Sequence, residues 1–264
     1  MARVLAISNQ KGGVAKTTTC LSLGASLAAA GQQVLVVDLD SQANLTMAAG
    51  FDPDQLDETI VDLLMAEIEE LPYDLDMILC TTTVEGLQLL PADVRLAGLE
   101  RRLYEYPGYE YLLKKILHKK NPDYDMILLD CPPSLSALTL MALSTADEVL
   151  IPAQCEYYAA KGLERLLEIV EAVREKTNPA LSAAILPTMY DQRNRICRMV
   201  LNQLQQGFPE MVLDHLIGID TKLREAPALG EPITVYAPNT RAAEQYNALA
   251  AEILENHKNT RKVV

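Results

Sequence analysis

Short, mostly apolar runs alternate along this chain with longer stretches in which apolar side chains return every three or four positions. The short runs cover positions 3–8, 33–37, 126–130, 149–151 and 183–186. Runs this brief and this apolar predict strands buried on both faces. The longer stretches at 17–30, 59–66, 109–119 and 158–176 predict amphipathic helices. Weaker strands are expected at Met77-Ile78-Leu79 and Leu87-Gln88-Leu89-Leu90. Further helices are expected from Asp93 through Arg102, near 135–143 and over 241–255. Alternation of this kind predicts an α/β fold, a mostly parallel twisted sheet flanked by helices on both faces. Neither a linker nor an internal repeat interrupts it, so one domain is expected over 1–256, followed by a short basic tail at 257–264.

Composition narrows this only slightly. At 264 residues and 49% hydrophobic content the chain can bury a full core, yet no apolar run approaches the length of about 20 residues that a membrane span requires. The first residues lack a signal peptide's basic start and cleavage site, so a cytoplasmic protein without membrane attachment is expected. Five cysteines, odd in number and without a Cys-x-x-Cys pair, read as reduced thiols. A net charge of −13 excludes a uniformly basic surface but leaves room for a local basic patch.

The chemistry concentrates where the first strand meets the first helix. Lys11-Gly12-Gly13-Val14-Ala15-Lys16-Thr17-Thr18 has the strand, glycine loop and helix order of a P-loop. Its backbone N–H groups can close on phosphate oxygens, Lys16 can meet the β and γ phosphates of ATP or ADP, and the Thr17 hydroxyl can meet Mg²⁺. Where Ala15 stands a glycine is the usual residue; alanine is expected to keep the loop's shape with a negative φ. Lys11 is surplus to the cradle, and its position suits a partner's nucleotide. The apolar runs at 33–37 and 126–130 lead into Asp38-Leu39-Asp40 and end on Asp130. In a parallel sheet these three acids converge at the edge that carries the P-loop, where they would want a cation. Asp130 reads as a carboxylate holding Mg²⁺ through water, although an aspartate ending a strand is also a common turn former.

Asn9 through Thr18, Val37-Asp38-Leu39-Asp40-Ser41-Gln42-Ala43-Asn44, Leu129-Asp130-Cys131-Pro132-Pro133-Ser134 and Glu156-Tyr157-Tyr158-Ala159 together resemble the ParA/Soj partition ATPases, deviant-Walker relatives of MinD. The resemblance implies a single P-loop NTPase domain, an ATP-dependent homodimer of the sandwich type, non-specific binding of double-stranded DNA with nucleoid association in the ATP state, and a ParB-type adaptor that stimulates slow, Mg²⁺-dependent hydrolysis. It implies that Lys11 crosses to the partner's phosphates, that Lys16 and Thr17 hold the phosphates and Mg²⁺, and that Thr18 meets the α-phosphate. Asp40 would position the attacking water and Asp38 would sit in the Mg²⁺-sensing switch. Glu156 resembles a contact to the other subunit's ribose, and reads equally as an acid at a helix N-terminus.

DNA contacts would map to Arg193 and Lys222, joined by Arg195, Arg198 and Arg224; the same residues also read as ordinary surface cations. Gly218-Ile219-Asp220 stands where the family usually has Pro-Arg-Asn, which removes a basic residue and alters a segment near the adenine that includes Asp220. A positioning ATPase for a non-DNA cargo would use the same residues. A MinD-like regulator would end in a membrane-binding amphipathic helix, whereas 241–255 is alanine-rich and acidic. Tyrosines 104, 106, 109 and 111 are internal, unlike a tyrosine kinase's tail, and lone Cys131 and Cys155 do not make an iron–sulfur pair.

Overall fold

Seven strands form a single sheet in the order β3-β4-β2-β5-β1-β6-β7, in a computed structural model that describes residues 2–118, 123–156 and 159–263, apart from the side chains of 159–161 and 258–263. The strands are β1 (Arg3–Ile7), β2 (Val34–Asp38), β3 (Cys80–Thr81), β4 (Leu87–Leu90), β5 (Met126–Asp130), β6 (Glu148–Gln154) and β7 (Ser182–Thr188). Every pairing is parallel except β3 with β4 at the edge. The helices are α1 (Lys16–Ala29), α2 (Asn44–Ala48), α3 (Ile60–Ile68), α4 (Leu96–Leu103), α5 (Leu112–His118), α6 (Ala137–Thr145), α7 (Ala159–Lys176), α8 (Arg195–Gly207), α9 (Lys222–Glu225), α10 (Ile233–Tyr236) and α11 (Arg241–Val263).

The period of two along each strand divides the apolar side chains between two cores. Val4, Ala6, Leu35, Val37, Ile127 and Leu129 pack with α3 to α8. Leu5, Ile7, Val34, Val36, Met126 and Leu128 pack with α1, α2, α10 and α11. This is why the central strands read as unbroken apolar runs: both of their faces are buried.

Some expectations shift. Met77-Ile78-Leu79 is not a strand; a 3-10 turn at Leu75–Met77 occupies that stretch, held by Asp74, whose Oδ1 accepts the Asp76 N–H at 3.1 Å. The strand follows at Cys80–Thr81 and runs antiparallel to β4. The periodic stretch from Tyr109 opens as a 3-10 turn and becomes helical only at Leu112; Lys119 lies outside the described residues. α8 is an additional helix. Its buried Cys197, Val200 and Leu204 follow helical spacing, but the exposed Ile196 and Met199 blur that pattern. α11 continues through Val263, so the basic tail is a prolongation of the closing helix.

Parallel pairing brings the C-terminal ends of the strands to one edge, with β1 in the sheet interior. Asp38 stands in register with Asp130, and Ile7, from which the glycine loop departs, stands beside Asp130 on the other side. Ligands of open α/β sheets bind at this edge.

Candidate active site

The loop from Ser8 to Ala15 is held from below. Ser8 N–H donates to the Leu150 carbonyl at 3.1 Å, Asn9 Nδ2 to the Pro152 carbonyl at 2.7 Å, and Thr188 Oγ1 to the Val14 carbonyl at 3.2 Å. Each anchor reaches a strand to the right of β1, so the loop's shape depends on segments that are distant in sequence. Ala15 sits in the left-handed region at φ 71°, directly before α1. The expected negative φ is therefore wrong: the loop demands the glycine-type conformation and alanine carries the strain. No side chain caps α1. Cβ atoms built on Gly12 and Gly13 would meet nothing within 4 Å. The free N–H groups of α1 and the open space above the glycines together form an anion cradle.

A cavity of about 410 Å³ lies over this cradle. Its lining includes Gly12, Gly13, Lys16, Thr17, Thr18 and Asp40 of the cradle and the apolar Met189, Leu223, Ala226, Pro227, Pro232 and Ile233. A cavity that joins an anion cradle to an apolar wall suits a nucleotide. Lys16 is buried, and burial lowers its pKa while Asp130, Cys131 and Asp40 oppose the shift.

The carboxylates divide their work. Asp130 Oδ2 accepts the Thr17 hydroxyl at 2.7 Å, whereas its buried Oδ1 has no hydrogen-bond partner. Burial, then the neighbouring Asp38, pushes the Asp130 pKa well up. An orphaned hard oxygen beside a threonine hydroxyl fits Mg²⁺, which takes one or two carboxylates and completes its shell with phosphate and water. Among the described residues no group of three or more His, Cys, Asp or Glu is placed to hold a metal ion, so Asp38, Asp40 and Asp130 do not form the joint cation site expected from the sequence. Asp38 is fully buried with both oxygens engaged: Oδ2 accepts Thr46 N–H at 2.9 Å and Thr46 Oγ1 at 2.8 Å, and Oδ1 accepts Asp40 N–H at 3.1 Å. It therefore anchors α2. Asp40 faces the cavity, with Oδ1 accepting the Gln42 N–H at 2.9 Å.

Lys11 stands apart, and it is absent from the lining of the cavity that its own loop forms. Its ammonium instead meets Glu156 Oε2 at 2.6 Å and Gln154 Oε1 at 3.0 Å. Tyr157 and Tyr158 of the same motif lie outside the described residues. Asp220 lines a neighbouring cleft with Glu156, Asn194, Ile196 and Arg224, and its Oδ1 accepts the Lys222 N–H at 3.0 Å. It is absent from the lining of the P-loop cavity. Of the basic residues, Arg195 and Arg224 are exposed, and Arg224 lines that second cleft. Arg193 is exposed and doubly bonded to Asp191, while Lys222 pairs with Glu225 at 2.6 Å and lies 5.5 Å from the Tyr236 ring centroid. Sequence reasoning missed the apolar wall from Leu223 to Ile233, Thr46 as the anchor of Asp38, and Gln154 as a partner of Lys11. Only the Pro227 and Pro232 turns flanking Gly230 offered a signal for the wall.

Cradle, paired carboxylates and parallel sheet define a P-loop nucleotide hydrolase, and the model of an AAA domain matches residues 2–183. The sporulation initiation inhibitor protein Soj of Bacillus subtilis is 40% identical over 257 residues, 97% of this chain and 100% of that protein. The chromosome partitioning protein ParA of Caulobacter vibrioides is 38% identical, covering 97% of this chain and 95% of its own length. Among solved structures, a cobyrinic acid a,c-diamide synthase from Mycobacterium smegmatis with bound ADP and magnesium has a TM-score of 0.85 at 38% identity, covering 99% of this chain and 98% of that one. The chain belongs to the ParA/Soj family of partitioning ATPases.

Proposed function

We propose that this ATPase closes into a sandwich homodimer when it holds ATP and Mg²⁺, binds double-stranded DNA without sequence preference in that state, and releases it when a ParB-type adaptor stimulates hydrolysis. The observation that carries the reading is the placement of Lys11, a cation at the lip of a phosphate cradle it does not enter. Within one protomer, Lys16 and the N-terminus of α1 grip the phosphates, and Thr17 with Asp130 holds Mg²⁺, which when bound neutralises phosphate charge. Asp40, with one oxygen tied to Gln42, presents the other to the attacking water. Phosphoryl transfer needs such positioning and charge neutralisation more than a strong base. The neighbour's Lys11 would complete the charge balance, making turnover conditional on pairing.

Sedimentation with ATP and Mg²⁺ tests this. Wild type is expected to dimerise, and Lys11→Ala to bind nucleotide yet remain monomeric and inactive; a full dimer in the variant refutes the reading. Asp40→Ala is expected to dimerise and to turn over about 100-fold more slowly. ATPase assays with DNA, with the adaptor and with both separate DNA partition from a non-DNA cargo, since only partition calls for synergistic stimulation.

A further inference from the structure

The ammonium of Lys11 is held in place rather than left loose in solvent. Besides its bonds to Glu156 Oε2 at 2.6 Å and Gln154 Oε1 at 3.0 Å, Gln154 Nε2 braces the other carboxylate oxygen of Glu156. The backbones are joined beneath: Lys11 N–H donates to Asn9 Oδ1 at 3.0 Å, and Asn9 Nδ2 to the Pro152 carbonyl at 2.7 Å. The first P-loop residue and the end of β6 thus form one clasp on the lip of the site.

We propose that Gln154 and Glu156 are positioning residues that latch Lys11 in cis in the lone protomer and so raise the threshold for pairing until a partner's nucleotide is present. The latch rests on the reading that Lys11 crosses between protomers. If two protomers met empty, each Lys11 would have to leave its carboxylate, and both charges would be stripped of water with no counterpart, which is strongly unfavourable. A triphosphate on the partner changes the exchange. Lys11 then trades one anion for a more highly charged one.

The clasp is also weak enough to open. Side-chain exposures of 47% for Lys11 and 53% for Glu156 mark a solvent-screened pair, which biases a population by about five-fold at most. It therefore sets a threshold and is not a lock.

Acetylation of the nucleotide-free protein by an N-hydroxysuccinimide ester, read by mass spectrometry against the exposed Lys114 and Lys176, measures the latch directly. Lys11 is expected to react about two- to five-fold more slowly than these references in wild type and at parity in Glu156→Gln. Salt at 1 M should raise the wild-type rate alone. In a second measurement Gln154→Ala, with an unchanged denaturation midpoint, should dimerise with ATP at a protein concentration about two- to five-fold lower than wild type. Equal Lys11 reactivity in wild type and Glu156→Gln overturns the latch, as does a Gln154→Ala dimer that needs more protein. A Lys11→Ala protein that still dimerises removes the crossing role instead, and leaves the labelling result standing.

Discussion

Two single residues show how strain and burial are concentrated at the nucleotide site. Ala15 holds φ 71° with no glycine freedom. A left-handed alanine costs about 1–2 kcal/mol, and glycine gives back part of that relief as unfolded-chain entropy. Ala15→Gly is therefore expected to stabilise the nucleotide-free protein by about 0.5–1 kcal/mol, read as a higher urea midpoint at constant slope. Asp38 is the second case: burial, opposed by the Thr46 and Asp40 hydrogen bonds, raises its pKa from 3.8 to about 6. The folded state thus holds this proton more tightly than the unfolded chain. The associated stability is complete below pH 4 and disappears as the pH climbs through 6. Relative to Asp38→Asn, nucleotide-free wild type should lose about 1 kcal/mol between pH 5 and 7.5. A flat difference across that range would contradict the assigned cause.

At the scale of elements, two loops that carry opposite walls of the cavity cross at bare backbone. Gly50 follows α2 and Gly230 follows the 3-10 turn at Ala226–Leu229; their φ values are 92° and 68°. A Cβ on Gly230 would lie 2.5 Å from Gly50 Cα, and one on Gly50 would lie 3.2 Å from the Gly230 carbonyl oxygen. The crossing holds α2, which Asp38 anchors through Thr46, against the wall formed by Ala226 and Pro227. Gly230→Ala adds both a backbone clash and left-handed strain, so a loss of about 2 kcal/mol or more is expected together with weaker nucleotide binding. Gly98→Ala is the contrasting change. Its Cβ would meet nothing within 4 Å, and the position lies inside α4, so a gain of about 0.5–1 kcal/mol is expected. Calorimetry on both variants checks the opposite signs.

For the whole molecule the question is how a chain with net charge −13 could bind DNA. Arg193, Arg195 and Arg198 fall within six residues around the start of α8, and Arg224 lines the cleft that Asn194 and Ile196 also line. These cations share the region with Asp191, Asp220 and Glu225. Arg193 and Lys222 already have acidic partners, so Arg195 and Arg224 have their charge more freely available. Each phosphate contact contributes about 0.9 to the slope of log affinity against log salt, and a dimer doubles each contact. Arg195→Ala with Arg224→Ala is expected to keep ATP-dependent dimerisation and to reduce that slope on random duplex by about 4. An unchanged slope would remove these two residues from the DNA surface.

Sequence by itself determined the layered α/β plan, because central strands buried on both faces must be uniformly apolar and helices between them must be amphipathic. It also determined the cradle, since a glycine loop between strand and helix leaves N–H groups with nothing else to bind, and the meeting of Asp38 with Asp130 follows from parallel strands ending at one edge. Tertiary structure alone decided the sign of φ at Ala15, because the backbone path there is imposed by anchors on β6 and β7. It likewise decided the apolar wall, the Gly50–Gly230 crossing and the clasp on Lys11. Each of these joins segments far apart in the chain, and no local pattern records which distant surface a side chain will meet.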